Sequence, residues 1–272
     1  MNRRGLLCAA VIGLFALSHT ASADVLAEVK KAAVLKVGTE TQFAPFDYID
    51  SGEHVGFNVD LFAAVGKEMG VQIQWVALPW AGVLPGLEAA KFDIVAGPAI
   101  ITKERLERYT FSVPIAEGTV ALNKRASDTA IKKPEDIAGK AVGGGRGSNQ
   151  LAQLKTFAAT LTPPATVREY VGADEGMADL AAGRIVAYSA SLPNAAAAAK
   201  ARPDMFGLVL PAFGSKAYFG YVGRKDEASA SLMQAVNDAI DKLKKDGRMA
   251  ALQQKWFGTT FDMPAMAAAS AI

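Results

Sequence analysis

Three stretches of this 272-residue sequence carry side chains suited to a small charged ligand. Thr102-Lys103-Glu104-Arg105 ends in a guanidinium, which can take a carboxylate in two parallel charge-assisted hydrogen bonds that a lysine cannot reproduce. Taken alone, Arg105 reads more readily as a solvated residue of a charged helix start, as Lys103, Glu104 and Arg108 do. Gly143-Gly144-Gly145-Arg146-Gly147-Ser148-Asn149 joins an expected strand to an expected helix, and free backbone N–H groups at such a junction seat an anion. A purely structural turn is the alternative. A phosphate loop is disfavoured, because no Gly-Lys-Ser/Thr ending follows and the glycine spacing does not complete a dinucleotide fingerprint. Glu40, Phe43 and Trp80 add an acid and two aromatic faces, and such a face can hold a cation for roughly 0.5–2 kcal/mol. Their plain readings are a solvated loop glutamate and two core aromatics. Trp75 is assigned to packing, whereas Trp80 sits at a Pro79-Trp80 corner and is less core-like.

The N-terminus limits what chemistry remains. Asn2-Arg3-Arg4, an apolar run of about 13 residues from Gly5 to Leu17, and Ala21-Ser22-Ala23 read as a secretory signal peptide over residues 1–23. The run is too short to span a bilayer, and Cys8 lacks the preceding small residue of a lipoprotein signal. A soluble periplasmic chain starting near Asp24 is therefore expected. That chain has no cysteine and a single histidine, His54, which excludes disulfides, His-based nucleophile activation and histidine-rich metal sites. No metal or cofactor is expected, and His54, in a Ser51-Gly52-Glu53-His54 turn, reads as a surface residue. Losing Arg3 and Arg4 turns 29 bases against 27 acids into 27 against 27, and a neutral chain without basic runs argues against nucleic acid or anionic lipid as partner. A monomer is expected.

The elements that must position these residues alternate in type. Val34 to Gly38 reads as a strand, and Leu61, Val65 and Met69 recur at helical spacing. Val71, Ile73 and Trp75 have strand period, a helix runs through Leu84 and Leu87, and Phe92 to Ala96 is the next strand. The alternation restarts after Pro134. It gives strand Ala141-Val142, a helix from Asn149, strand Val167 to Tyr170, helix Glu175 to Ala182 and strand Arg184 to Tyr188. A strand Tyr218 to Gly223 and an amphipathic helix Ala228 to Lys245 close the pattern. Ala195 to Ala199 reads as helix, and the alanine-rich residues 265–269 as a frayed tail. The fold class is α/β, with helix-covered, mostly parallel sheets and room for two cores.

Across this frame Val37-Gly38-Thr39-Glu40-Thr41-Gln42-Phe43-Ala44-Pro45-Phe46, Gly56-Phe57-Asn58-Val59-Asp60-Leu61, Pro79-Trp80 and Thr102-Lys103-Glu104-Arg105 occur in order. With Gly139-Lys140-Ala141-Val142-Gly143, Lys245-Asp246-Gly247-Arg248 and Lys255-Trp256-Phe257-Gly258, they resemble the family 3 extracellular solute-binding proteins of ABC importers. The resemblance implies a two-lobed periplasmic-binding-protein type II fold joined by two crossover strands. Lobe 1 would comprise residues 24–117 and 214–272, and lobe 2 residues 118–213. It implies a zwitterionic ligand in the cleft and an inner-membrane ABC permease as partner. It also implies that Arg105 holds the ligand carboxylate from lobe 1 while Gly147, Ser148 and Asn149 grip it from lobe 2. Phe43 and Trp80 become aromatic walls, and Glu40 the partner of a distal cationic or N–H group.

Two positions depart from the family pattern. Ile100 stands where binders of ordinary amino acids carry Ser or Thr, and Ser191 where they place an Asp for the α-ammonium. Asp174 or Glu175 is a candidate substitute. Glu40, Phe43, Trp80, Ile100 and Arg105, with Tyr188-Ser189, are similar to binders of ectoine and hydroxyectoine, although those carry an aromatic at Ile100. An amino acid, an opine or a cyclic zwitterion therefore all stay open as ligand. A dehydratase-like enzyme and a sensor passing its closed form to a receptor are the rival functions; a binding protein without catalysis is the expected one.

Overall fold

In this computed structural model residues 24–272 are described, so the expected signal peptide lies outside the described residues. Asp24 accepts from the Ala27 N–H at 2.9 Å and so caps helix α1 (Val25–Ala32), which leads into strand β1 (Val34–Thr39). A small hairpin sheet follows, β2 (Gln42–Phe43), β3 (Asp47–Asp50) and β4 (Glu53–Val55). Then come α2 (Phe57–Met69), β5 (Gln72–Ala77), α3 (Trp80–Glu88), β6 (Ile94–Ile100) and α4 (Lys103–Arg108). Strands β7 (Tyr109–Phe111) and β8 (Ala116–Glu117) lead to the first crossing, after which β9 (Val120–Arg125) enters the second sheet. That sheet adds β10 (Ala141–Gly145), α5 (Asn149–Thr160), β11 (Thr166–Tyr170), α6 (Ala173–Ala181), β12 (Ala187–Ser191), α7 (Leu192–Ala201) and β13 (Phe206–Phe213). The chain returns through β14 (Tyr218–Arg224) and ends in α8 (Glu227–Lys245) and α9 (Arg248–Phe257).

Two sheets result. One has the order β5-β1-β6-β14-β7, with β8 also on β14, and the other β11-β10-β12-β9-β13. Each has a parallel core of three strands, while β14, β9 and β13 run antiparallel to their neighbours. Strands β9 and β14 each begin at a crossing and therefore run against the parallel set, a mixed character that the alternating pattern did not reveal. Helices cover both faces, so β6 is buried at every position, as a central parallel strand should be. The stripe Leu232, Val236, Ile240 and Leu243 of α8 is fully buried against the first sheet, and Leu122, Val142, Leu154 and Ala187 form part of the core of the second.

Two expectations need correction, and several elements appear that the sequence pattern does not mark. The strand placed at Arg184 to Tyr188 is Ala187–Ser191, because a turn after Gly183 delays its start. The hairpin and strands β9 and β13 were not foreseen. The tail is tied down rather than frayed: the Ile272 N–H donates to the Ile101 carbonyl at 3.3 Å, and the Lys103 N–H donates to the Ile272 carbonyl at 3.1 Å. Among the described residues no helix is long and apolar enough to cross a membrane.

Candidate ligand-binding site

The carboxyl ends of the parallel strands of both sheets face one cleft, where open α/β sheets place ligands. From the first sheet, β6 delivers Ile100, and the first turns of α4 deliver Arg105. Thr102 Oγ1 accepts from the Arg105 N–H at 3.1 Å, capping α4, and Arg105 Nη1 donates to the Ile100 carbonyl at 2.9 Å. The guanidinium carbon stands 5.8 Å from the centroid of the Trp80 ring, and burial lowers the Arg105 pKa. Trp80 opens α3, and its indole Nε1 donates to the Gly147 carbonyl at 3.3 Å, joining the two lobes.

From the second sheet, β10 runs into the glycine loop. Gly147 adopts φ 72, a left-handed conformation that suits glycine, and Ser148 then caps α5. The Ser148 hydroxyl is committed twice, accepting from the Leu151 N–H at 3.0 Å and donating to the Gly145 carbonyl at 2.7 Å. The backbone N–H groups of Gly147, Asn149 and Gln150 have no protein acceptor among the described residues. The donors this loop leaves free are therefore backbone groups at the head of a 12-residue helix, the kind of place that suits an anion.

A cavity of about 30 Å³ collects Glu40, Phe43, Trp80, Ile100, Arg105, Ser148 and Asn149, together with Pro98, Gln150 and Phe219. It adjoins a larger cavity of about 420 Å³ that shares Glu40, Phe43, Trp80, Ser148 and Gln150 and extends into lobe 2 past Tyr188, Asn123 and Asn194. Gly147 lies on the other side of this convergence, beside an open groove of about 840 Å³. Phe43 stacks on Phe46 with centroids 5.4 Å apart, so its ring is half wall and half core. Ile100 is 1 % exposed and belongs mainly to the core, contributing its carbonyl to Arg105.

Ser191 lines none of these cavities. It is fully buried as the N-cap of α7, its hydroxyl paired with the Asn194 side chain and accepting from the Asn194 N–H at 3.4 Å. Asn194, which sequence reasoning missed, faces the cleft instead and donates from Nδ2 to the Ala44 carbonyl across it at 2.6 Å. The signal that could have found it is its place three residues after an N-cap, where a side chain turns back over the helix start. Asp174 reaches the larger cavity, whereas Glu175 borders a separate hollow.

Glu40 stands at the end of β1 with its pKa pushed up to about 8, first by burial and then by the nearby Asp47 carboxyl. Asp47 is fully buried, and burial raises its pKa against the opposing hydrogen bonds of His54 and Asn58. His54 is not the plain surface residue expected. Its Nε2 sits 3.0 Å from Asp47 Oδ1 and its ring packs edge-on against Trp75 at 4.8 Å, because the β3–β4 hairpin folds it inward.

The sequence from residue 35 to 259 matches the model of the bacterial extracellular solute-binding proteins, family 3. The chain belongs to this family. This solute-binding protein is 32% identical over 256 residues to the L-cystine-binding protein TcyJ of Escherichia coli (strain K12), covering 93% of this chain and 94% of that one. Its backbone matches an ancestral arginine-binding protein bound to arginine with a TM-score of 0.76 at 32% identity, covering 83% of this chain and 99% of the other. The ancestral amino acid-binding protein AncCDT-1, a precursor of cyclohexadienyl dehydratase, matches with a TM-score of 0.76 at 30% identity, over 85% of this chain and 99% of that one. These solved structures give the solute-binding protein the type II periplasmic-binding-protein fold in two lobes.

Proposed function

We propose that this protein captures an amino acid or amino-acid-like zwitterion in the periplasm and delivers it to an inner-membrane ABC permease, acting as a monomer. One observation carries the reading: the Arg105 guanidinium and the unpaired backbone N–H groups of Asn149 and Gln150 approach the same small cavity from opposite lobes. A carboxylate between them touches both lobes at once. Only contacts made simultaneously in both lobes favour the closed form over the open one. The lobes are taken as residues 24–117 with 214–272, and 118–213, closing by hinge motion at the two crossings. The names of similar proteins, cystine-binding and arginine-binding, support an amino-acid ligand. A cyclic zwitterion of the ectoine type also offers a carboxylate and a delocalised cation.

The test is a thermal-shift screen of residues 24–272 against amino acids, cystine, opines, ectoines and cyclic carboxylates, since a ligand stabilises by RT ln(1 + [L]/Kd). A shift with any zwitterion supports binding, and no shift with the whole set refutes it. A second reading, catalysis on a cyclic acid, has Glu40 in its favour, a carboxyl held protonated to about pH 8 in the cleft and so a ready proton donor. Consumption of a cyclic acid on mixing with the protein would establish that reading; binding without turnover sets it aside.

A further inference from the structure

Arg105 stands on a weak element. Helix α4 has only six residues and none of them is buried, so neither its length nor its packing holds the guanidinium in place. What fixes Arg105 is the segment before it: Thr102 Oγ1 accepts from the Arg105 N–H, and the Ile100 carbonyl accepts from Nη1. Backbone and guanidinium are thus both referred to residues 100–102. On one side that segment is steadied by β14, through the Ile101 N–H, which donates to the Tyr218 carbonyl at 2.9 Å.

The rest of the hold comes from the tail beyond α9, nearly all of it past residue 259, where the family match ends. The tail is anchored twice. At its start the Phe261 N–H donates to Gln253 Oε1 at 3.3 Å, and the Phe261 ring packs against Phe257 with centroids 5.2 Å apart. Gln253 is itself 2 % exposed, with Nε2 donating to the Ile115 carbonyl at 3.0 Å. Farther on, Ala267 and Ala271 pack against the cluster of Ile101, Tyr109 and Phe111, which Trp80 and Leu106 also touch. At its end Ile272 donates to the Ile101 carbonyl and accepts from the Lys103 N–H, so its two bonds bracket Thr102, and its side chain packs on the first core. Ile272, Thr102 and Arg105 border the same groove.

We propose that residues 259–272 are a strap that positions Arg105: by bracketing Thr102 they fix the guanidinium before the ligand arrives. Affinity rises because binding then has less order to impose. This rests on the reading of Arg105 as the anchor of an amino-acid carboxylate.

The experiment uses residues 24–272 in natural form and as Ala271→Gln and Ile272→Gly, neutral changes that spoil the packing of the strap without adding charge near Arg105. Amide hydrogen exchange is followed by NMR, and binding of L-arginine and of L-cystine by titration calorimetry. In the variants the Lys103 amide should exchange at least about tenfold faster while the Ile101 amide keeps its protection, and affinity for whichever probe binds should fall about 3- to 10-fold. With Arg105→Lys also in place the same changes should cost less than about twofold, because no fork remains to be positioned. A tail that only adds stability would lower the melting temperature without this dependence on Arg105. Full affinity despite a freed Lys103 amide overturns the proposal, as does a loss undiminished by Arg105→Lys. Unchanged Lys103 exchange in both variants overturns it too, and failure of both to fold would make the tail part of the core rather than a strap. Binding of neither probe by the natural protein overturns the amino-acid reading, and this inference with it, whatever the exchange shows.

Discussion

Arg105 Nη1 donates to the carbonyl of Ile100 at 2.9 Å, so one arm of the guanidinium, carried by α4, is tied to the end of β6. The tie orients the remaining donors toward the cavity shared with Ser148, Asn149 and Gln150. It also explains the apolar side chain at Ile100, which is buried in the core and meets the site through its backbone. Charge and geometry then make separable predictions.

Arg105→Ala removes both the charge and the fork. Hydrogen bonds to charged groups contribute about 1.5–3 kcal/mol each, so ligand affinity should fall by at least about 100-fold. Arg105→Lys restores the charge without the tie to Ile100 and should recover only part of that loss. Calorimetry checks both; an affinity within a few-fold of the natural protein for Arg105→Ala would remove the carboxylate clamp.

The bond from Trp80 Nε1 to the Gly147 carbonyl, 3.3 Å long, joins the lobes independently of ligand. Trp80→Phe deletes it while keeping an aromatic wall. A bond of this kind contributes about 0.5–1.5 kcal/mol, so the empty protein should shift toward the open form and affinity should weaken roughly 2- to 10-fold. Small-angle scattering should register a larger radius of gyration for the empty variant, converging with the natural protein at saturating ligand.

His54 and Asp47 test the support beneath the cleft. With His54→Ala the buried Asp47 carboxyl keeps Asn58 but loses its ring partner, at a cost of about 1–3 kcal/mol. The melting temperature should fall by about 2–10 °C, and Asp47→Asn in the same chain should recover part of the loss, since no ionisable group is then left short of partners. An unchanged melting temperature for His54→Ala would return His54 to the surface role its sequence suggests.

That support illustrates where sequence is legible and where it is not. The run Ile94–Ile100 and the alternation of Ile73 and Trp75 announce themselves because burial on two faces or one dictates side-chain type. Arg105 and the glycine loop stand out in the sequence only with the motifs around them, since each alone also reads as a solvated or a structural feature. The pairing of His54 with Asp47 depends on the register of a hairpin, Ile49 opposite His54, that no periodicity marks. Ser191 is ambiguous in sequence for a related reason: a serine before a helix reads as a ligand contact or as a cap, and only the course of α7 shows that its hydroxyl is paired with Asn194.

Glu40 makes the stability of the empty protein depend on pH. Its folded pKa, about 8, lies above the ordinary 4.5, so the native state binds the proton more tightly than the unfolded chain. The associated stability is complete below about pH 4.5 and is lost as pH rises through 8. Glu40→Gln should show a flatter profile and be the more stable form at pH 8.5, by an amount on the order of a few kcal/mol. Parallel profiles for the two proteins would place Glu40 in contact with solvent.

The same carboxyl predicts the pH dependence of binding. If a ligand cation or N–H donor pairs with ionised Glu40, binding must expel the proton that Glu40 carries below about pH 8. Affinity should then weaken by up to about tenfold for each pH unit below 8, and calorimetry at pH 7 in buffers of different ionisation enthalpy should detect close to one proton released per ligand bound. In Glu40→Gln both the proton release and this pH dependence should vanish. A ligand that instead binds by donating to neutral Glu40 through its own acceptor leaves the proton in place, so affinity that is flat from pH 6 to 8 would assign Glu40 the role of a hydrogen-bond donor. The cationic end of the ligand would then have to sit nearer Asp174, on the exposed rim of the same cavity.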